Sequence, residues 1–214
     1  MPALFSRRAT PLARSVLLAA CAAVVAVPSF AMGWVRTPWA RGEHRHITQP
    51  VPFDHRVHVT GLRIDCRFCH SGVETTAQAG LPPTQICVSC HQRLWLSLPP
   101  MSAVRHSVEM NQPIAWQRVN QLPDFVYFDH AMHVNKGVGC ETCHGRVDET
   151  GDVTQAAPLT MGWCVSCHRD PAPHLRPLDA ITTQGYQPAP GTSGTALMAA
   201  YHVRRLTNCT TCHR

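Results

Sequence analysis

The stretch FDHAMHVNKGVGCETCH, residues 128–144, brings three histidines and two cysteines together in one short segment. It ends in Cys140-x-x-Cys143-His144. Residues three and four positions apart lie on one face of a helical turn, so these two thiols and this imidazole can face one ligand. That spacing is typical of covalent haem c attachment, in which the thiols bind the porphyrin and the histidine binds the iron.

The Cys-x-x-Cys-His motif occurs five times along the chain. The copies are Cys66, Cys69 and His70; Cys87, Cys90 and His91; Cys140, Cys143 and His144; Cys164, Cys167 and His168; and Cys209, Cys212 and His213. Zinc is one alternative, but a zinc ribbon needs two Cys-x-x-Cys pairs for each ion, and five pairs leave one unmatched. Disulfides are another, but cysteines confined to such pairs would form tight redox disulfides rather than cross-links between loops. The sequence therefore predicts five covalently attached haem c groups.

The predicted fold class is a multihaem cytochrome c, with mostly short helices and irregular loops packed around five haems and one N-terminal transmembrane helix. The 18 prolines and 13 glycines agree with short helices at the motifs joined by loops. In a chain of 214 residues the apolar porphyrins would supply most of the core. The formal charge of +6 would be offset by the haem propionates, so we expect no nucleic-acid partner.

Residues 15–34 form an uncharged run that, as a helix, would span about 30 Å, the thickness of a bilayer core. One interpretation is a signal peptide cleaved after Ala31. We favour an uncleaved anchor, with Trp34 and Trp39 at the membrane interface. Cys21 within this run is expected to be a small apolar residue. Because haem c is attached outside the bacterial cytoplasm, the haem domain is expected on the periplasmic side of the inner (cytoplasmic) membrane.

An internal repeat organises the rest of the chain, since FDHRVHV (53–59) and the two motifs after it recur from FDHAMHV (128–134). Residues 1–40 are the predicted anchor and residues 41–214 the predicted pentahaem domain. The haem domain divides into a dihaem repeat (51–98), a linker (99–124), a second dihaem repeat (125–170) and a C-terminal fifth-haem segment (171–214). Residues 171–194 are expected to wrap the surface, because this stretch is rich in proline, glycine and threonine.

Each repeat contains two histidines upstream of its two motifs, His55 and His58 in the first and His130 and His133 in the second. Three residues apart, the members of each pair lie on one face of a helical turn and can reach two different irons. We predict that these four histidines complete bis-histidine ligation of four haems, and spacing leaves open which iron each one binds. For the fifth iron the candidates are Met161, Met110, His106, His174, His202 and an open site, and Met161 is the one we predict.

Several longer segments resemble the pentahaem cytochrome c subunit of alternative complex III, a bacterial quinol-oxidising respiratory complex. They are QPVPFDHRVHVTGLRIDCRFCH, LPPTQICVSCH, DFVYFDHAMHVNKGVGCETCHGRVD, PLTMGWCVSCHR and LTNCTTCHR, between about Trp34 and Arg214. The resemblance implies an N-terminal transmembrane helix, a periplasmic haem domain and quinol oxidation by an integral membrane subunit. It also implies electron flow by an iron–sulfur subunit and these haems to a monohaem cytochrome c or a terminal oxidase. On this interpretation the chain is an electron-transfer subunit with no catalytic residue of its own.

Three other functions are compatible with a multihaem chain. A membrane-anchored quinol dehydrogenase of the NapC and NirT type often has a methionine just after its first motif, but here Ser71 and Gly72 follow His70. Multihaem nitrite reductases use a lysine in place of the motif histidine, whereas all five motifs here end in histidine. The predicted anchor argues against the third alternative, a stand-alone extracellular cytochrome that conducts electrons.

Overall fold

The structure, a computed structural model, describes residues 9–213. Its contacts divide the chain into two compact units, Met1–Glu43 and His44–Arg214. The parts of the predicted anchor and of the fifth-haem segment that fall on residues 1–8 and on Arg214 lie outside the described residues.

The first unit contains one long helix, α1 (Ala9–Trp34), whose described residues are all exposed or half-buried. Its 26 residues correspond to about 39 Å at 1.5 Å per residue, which exceeds the hydrocarbon thickness of a bilayer. By length and composition α1 can therefore cross a membrane. A signal sequence near an N-terminus meets the same criteria, so the choice between anchor and signal stays a prediction.

The second unit consists of short helices joined by irregular loops. Its α-helices are α2 (Cys66–Cys69), α3 (Thr84–His91), α4 (Ser102–Met110), α5 (His130–Val134), α6 (Glu141–His144), α7 (Met161–Arg169), α8 (Gly194–Ala200) and α9 (Cys209–Cys212). Single turns of 3-10 helix lie at Pro99–Met101, Val147–Glu149, Ala172–His174 and Leu178–Ala180. Within residues 9–213 there is no strand, and one isolated antiparallel bridge pairs Val138 with Leu175. The prediction of short helices and loops is confirmed.

Few apolar side chains of the haem domain are buried. In the described part of the chain they are Val51, Val73, Val104, Val134, Ala157, Leu175 and Ile181. A single-domain chain of this length ordinarily buries most of the surface that its unfolded form exposes. Seven mostly small side chains cannot supply a core of that size, which agrees with the prediction that porphyrin would contribute much of the apolar surface.

The two repeats differ by one residue between their histidine pair and their first motif. Cys66 follows His55 by eleven positions, whereas Cys140 follows His130 by ten. The first repeat forms a π-helix at Arg56–Gly61, where the second forms the α-helix α5. A π-helical turn is wider than an α-helical turn, and such turns accommodate single additional residues. The extra residue of the first repeat is therefore accommodated within this π-helical turn.

The predicted linker, residues 99–124, contains a packed helix. Val104 of α4 is buried, and the hydroxyls of Ser107 and Thr84 are hydrogen-bonded, which joins α4 to α3. Farther along, Gln117 and Gln49 exchange two hydrogen bonds of 3.0 Å, each between a side chain and the backbone. This segment is thereby fixed to α3 of the first repeat and to Gln49, which lies just before that repeat.

The segment before the fifth motif is partly internal, because Leu175, Arg176 and Ile181 are buried. The guanidinium of Arg176 donates to Glu141 Oε1 at 2.8 Å and to the Thr183 carbonyl at 2.9 Å. A side chain at Gly139 would overlap this guanidinium and displace it, so glycine leaves room for the Arg176–Glu141 pair. Because Glu141 lies between the cysteines of the third motif, Arg176 secures that motif to the C-terminal segment.

Replacing Arg176 by methionine should lower the stability of the haem-loaded protein. The carboxylate of Glu141 would lose its cation, and breaking a buried ion pair by removing one partner costs about 3–5 kcal/mol. We expect a clearly lower urea midpoint, measured by circular dichroism. Arg204→Met, at an exposed arginine, is the matched control. Equal midpoints for the two variants would contradict a structural role for the Arg176–Glu141 pair.

Candidate haem attachment and ligand sites

Each Cys-x-x-Cys-His motif forms one helical turn, and these motifs are numbered sites 1 to 5 in chain order. Sites 1, 3 and 5 each build a single short helix, while sites 2 and 4 end the longer helices α3 and α7. Asp65 caps α2 by accepting a hydrogen bond from the Arg67 amide, and Thr160 caps α7 by accepting one from the Trp163 amide. In every site the two cysteines and the histidine therefore share one turn, as the spacing predicted.

The motif histidines are oriented by hydrogen bonds from their Nδ1 atoms. Four of them meet a backbone carbonyl: His70 that of Gly80 at 2.8 Å, His91 that of Leu94 at 3.1 Å, His168 that of Leu206 at 3.0 Å and His213 that of Phe125 at 3.1 Å. A carbonyl can only accept, so Nδ1 carries the proton and the lone pair is on Nε2. Iron-binding histidines are oriented in this way.

Three of the four upstream histidines are oriented by the same kind of hydrogen bond, from Nδ1 to a backbone carbonyl. The Nδ1 atoms of His58, His130 and His133 meet the carbonyls of Asp54, Ala77 and Asp129 at 2.9, 2.9 and 2.7 Å. The Nδ1 atom of His55 is buried without a hydrogen bond.

Burial keeps several of these imidazoles in the neutral form that a metal requires. Desolvation lowers the pKa of His55 and of His144 to about 4, and it also lowers the pKa of His133. These three rings are therefore uncharged at neutral pH, as metal ligation requires.

Three upstream histidines face three motif histidines across a common gap. The ring centroids of His58 and His91 are 6.2 Å apart, those of His130 and His144 are 6.3 Å apart, and those of His133 and His168 are 6.0 Å apart. Two imidazoles that bind one iron from opposite sides have centroids about 6 Å apart, because each metal–nitrogen bond is about 2 Å and each centroid lies about 1 Å behind its nitrogen. The residues therefore fit bis-histidine ligation at sites 2, 3 and 4.

The pairing follows a rule that the sequence left open. In the second repeat the first histidine, His130, faces site 3 and the second, His133, faces site 4. In the first repeat the second histidine, His58, faces site 2. His55 lies near His70 of site 1, since a charge on His70 is the largest influence on the pKa of His55 after burial. In the second repeat, the first histidine thus faces the first motif and the second histidine faces the second motif. In the first repeat, His58 likewise faces the second motif, and His55 lies near the first.

A phenylalanine contacts both histidines of each pair, and sequence reasoning missed it. Phe53 meets His55 edge-on at 4.8 Å and 83° and stacks on His58 at 4.3 Å and 26°. Phe128 repeats this arrangement, with His130 at 4.7 Å and 87° and His133 at 4.6 Å and 26°. The sequence feature that could have predicted this contact is the tripeptide Phe-Asp-His, which occurs in both repeats. One ring therefore sets the relative orientation of two candidate ligands.

Motifs from different parts of the chain are neighbours in space. The thiols of Cys66 and Cys140 lie close enough to interact, which raises the pKa of Cys140 and lowers that of Cys66. Sites 1 and 3 therefore touch. The backbone agrees, because the amides of His130 and Ala131 donate to the carbonyls of Ala77 and Thr76, each at 3.2 Å.

The remaining sites extend from this contact in both directions. Burial first, and then the charge of Cys87, raises the pKa of Cys69, so sites 1 and 2 adjoin. Burial raises the pKa of Cys143 to about 11, with a further contribution from Cys167, so sites 3 and 4 adjoin. Cys212 contributes likewise to the raised pKa of Cys164, so sites 4 and 5 adjoin. The spatial order of the sites is therefore 2, 1, 3, 4, 5.

The sixth ligand of site 5 stays a prediction. Met161 begins α7 with 71% of its surface exposed, and Met110 is 54% exposed. His106, His174 and His202 are also exposed. The ring of Phe125 lies against His213 with centroids 5.8 Å apart.

The zinc alternative predicts clusters of metal-binding side chains. Residues 9–213 contain no group of three or more histidine, cysteine, aspartate or glutamate side chains placed to hold a metal ion.

His130→Ala should leave one haem without its sixth ligand, because the ring facing His144 would be removed. We expect one haem to become high spin in the absorption and EPR spectra, with all haems still attached. His46→Ala is the matched control, since His46 is exposed and pairs with Asp152. An unchanged spectrum for His130→Ala would exclude this histidine as a ligand.

Phe128→Leu should change the EPR signals of two haems together, since both His130 and His133 would lose the ring that orients them. The change in g-values reports the angle between ligand planes, and the haem count should not alter. Phe30→Leu in α1, where the ring stacks on Trp34, makes the same substitution in the other unit. A change confined to a single haem would contradict the shared role of Phe128.

The C-terminal part of the chain is similar to a known protein family. Residues 126–214, which span the second repeat and the fifth site, match the family described as cytochrome c7 and related cytochrome c. This match confirms the predicted fold class, a helical multihaem cytochrome c.

A curated relative is the multiheme cytochrome c subunit of menaquinone reductase from Nitratidesulfovibrio vulgaris (strain Hildenborough). It is 35% identical over 121 residues, which cover 55% of this chain and 55% of the relative. The chain thus spans about half the length of the curated relative that it matches.

Proposed function

We propose that this multihaem cytochrome c is the electron-relay subunit of a quinone-linked membrane complex of the alternative complex III type, and that it carries five haems. The observation that carries the proposal is the unbroken series of neighbouring attachment sites, which runs 2, 1, 3, 4, 5. Haem c supplies one-electron redox chemistry when it is attached. A relay needs such a series, whereas a catalytic haem needs an open coordination position.

The proposed role of the protein residues is to bind the haems and to orient their axial ligands. In this proposal the ten motif cysteines fix the porphyrins, and each motif histidine is one axial ligand. His55, His58, His130 and His133 are the sixth ligands of sites 1, 2, 3 and 4, paired as their ring positions indicate. Met161 is the proposed sixth ligand of site 5. Rigid hydrogen-bonded imidazoles on both sides suit electron transfer, because the ligand geometry needs little rearrangement when the charge changes.

The proposed partners follow from the resemblance described above. They are an iron–sulfur subunit, integral membrane quinol-oxidising subunits, and a monohaem cytochrome c or terminal oxidase as acceptor. We place the haem domain on the periplasmic side of the bacterial inner (cytoplasmic) membrane, with α1 as an uncleaved anchor. The apolar surface of α1 supports this placement.

A second candidate function is electron transfer through the same haems in the opposite direction, toward the reduction of quinone. The name of the curated relative, a menaquinone reductase subunit, favours it. The attachment sites suit either direction, since a series of haems conducts both ways and the partners decide the net flow. A quinol dehydrogenase of the NapC and NirT type, which would oxidise quinol on this chain itself, has no comparable support.

Purification of the chain with its native partners would test the proposal. The tagged chain is extracted from its membrane in mild detergent, and the copurifying proteins are identified. Quinol oxidation and quinone reduction are then assayed with the complex and with the isolated chain. Quinol oxidation by a complex containing an iron–sulfur subunit, and not by the isolated chain, would support the proposal. Quinone reduction alone would favour the second candidate, and quinol oxidation by the isolated chain would overturn the relay assignment.

The number of haems can be measured independently. We expect five haems per chain from the pyridine haemochrome spectrum and from the intact mass. Substituting both Cys209 and Cys212 by alanine should reduce the count by one. A count of four or fewer in the unmodified protein would show that at least one motif does not bind haem.

Met161→Ala should lower the midpoint potential of a single haem, because a thioether ligand raises the potential above that of a bis-histidine haem. Met132→Ala, at another exposed methionine, is the matched control. The measurement is a spectroscopic redox titration of the purified protein. Identical titrations for the two variants would remove Met161 from the ligand set.

A further inference from the structure

One motif histidine is held differently from the rest. Seven of the nine candidate histidine ligands direct Nδ1 at a backbone carbonyl, and Nδ1 of His55 is buried without a partner. His144 of site 3 alone among them meets a side chain, the amide of Asn120, with 3.2 Å between the two nitrogens. The equivalent histidine of the first repeat, His70, uses the Gly80 carbonyl.

An amide side chain can serve a histidine in either of its neutral tautomers. In the orientation seen here, Nδ2 of Asn120 donates to an unprotonated Nδ1 of His144. When Nε2 binds iron, Nδ1 carries the proton and can only donate, so it requires an acceptor. A half-turn of the amide places Oδ1 where Nδ2 lies and supplies that acceptor. A backbone carbonyl offers only the second of these arrangements.

Asn120 is also in a fixed position. It belongs to the segment 99–124, outside both repeats, and it is half-buried. Three residues earlier, Gln117 is tied to Gln49 by two hydrogen bonds of 3.0 Å. The two rings at site 3 are nearly parallel, with 6° between the planes of His130 and His144, whereas the pairs at sites 2 and 4 are inclined by 49° and 66°.

We propose that Asn120 is a positioning residue for site 3, which orients the His144 ring and tunes the redox potential of the haem attached to Cys140 and Cys143. The inference rests on haem attachment as proposed above, and it is independent of the direction of electron flow. A stronger acceptor at Nδ1 gives the imidazole more imidazolate character. A more basic axial ligand favours the oxidised iron and lowers the potential.

Two substitutions at Asn120 should shift one haem in opposite directions. Asn120→Asp supplies a carboxylate, which accepts a stronger hydrogen bond than an amide does, so one component of the redox titration should move to lower potential. Asn120→Leu removes the acceptor, so the same component should move to higher potential. The leucine variant should also change one low-spin EPR signal, because the His144 ring would be free to rotate away from the plane of His130.

Gln121→Glu is the matched control, because it adds the same charge one residue along the chain. Gln121 is exposed, and its side chain donates to the Arg118 carbonyl instead of to a histidine. Each variant is studied as purified full-length protein with its haem content measured beforehand. Opposite shifts of one haem by the two Asn120 variants, and no shift by the control, would support the proposal.

The proposal would be overturned if neither Asn120 variant moved a single component, or if Gln121→Glu moved it as far as Asn120→Asp. If Asn120→Asp lost a haem, the leucine variant and its EPR signal would decide the question alone. An unmodified protein with all haems attached and no response at Asn120 would refute this inference and leave the relay function intact. Absence of haem at site 3 in the unmodified protein would refute both.

Discussion

The hydrogen bond from a histidine Nδ1 to a fixed acceptor is the interaction on which the haem domain depends. It appears at sites on every part of the domain, with carbonyls from loops that are close in sequence, as for His58, or distant, as for His213. Each such bond selects one tautomer and leaves Nε2 available to a metal. The acceptor loops have little regular structure, and so the loops that connect the short helices also serve as the ligand supports. In a domain with so few buried apolar side chains, this polar framework gives the imidazoles their fixed positions.

The local features were predictable from sequence, and the long-range ones were not. Spacing within Cys-x-x-Cys-His and His-x-x-His fixes which side chains share a helical turn, so the motifs and the short helices followed directly. The pairing of His58 with His91, in contrast, depends on how two distant helices pack, and no spacing encodes that. Arg176 and Asn120 were missed for the same reason, since their partners lie 35 and 24 residues away. The Phe-Asp-His repetition is visible in the sequence, but it did not predict the contact with the histidines, because general packing is the usual role of a phenylalanine ring.

The resemblance to alternative complex III and the menaquinone reductase relative assign opposite directions to the same kind of subunit. That disagreement has a physical reason. The residues described above concern how haems would be attached, ligated and ordered, and none of these features favours one direction of electron flow. In the proposed function, net flow would depend on the potentials and identities of a donor and an acceptor on other subunits. The direction of electron flow would then be a property of the whole complex and not of this chain.

The proximity of Cys66 and Cys140 determines which mutations would interrupt the series of attachment sites. Because sites 1 and 3 touch, the two repeats meet through their first motifs and not through the motifs nearest in sequence. Sites 2 and 5 are then termini of the spatial series, and losing either would shorten it. Losing site 1, site 3 or site 4 would instead cut it into two disconnected pieces. Tolerance to mutation should thus be graded by position in space, with the three internal motifs being less dispensable than the two terminal ones.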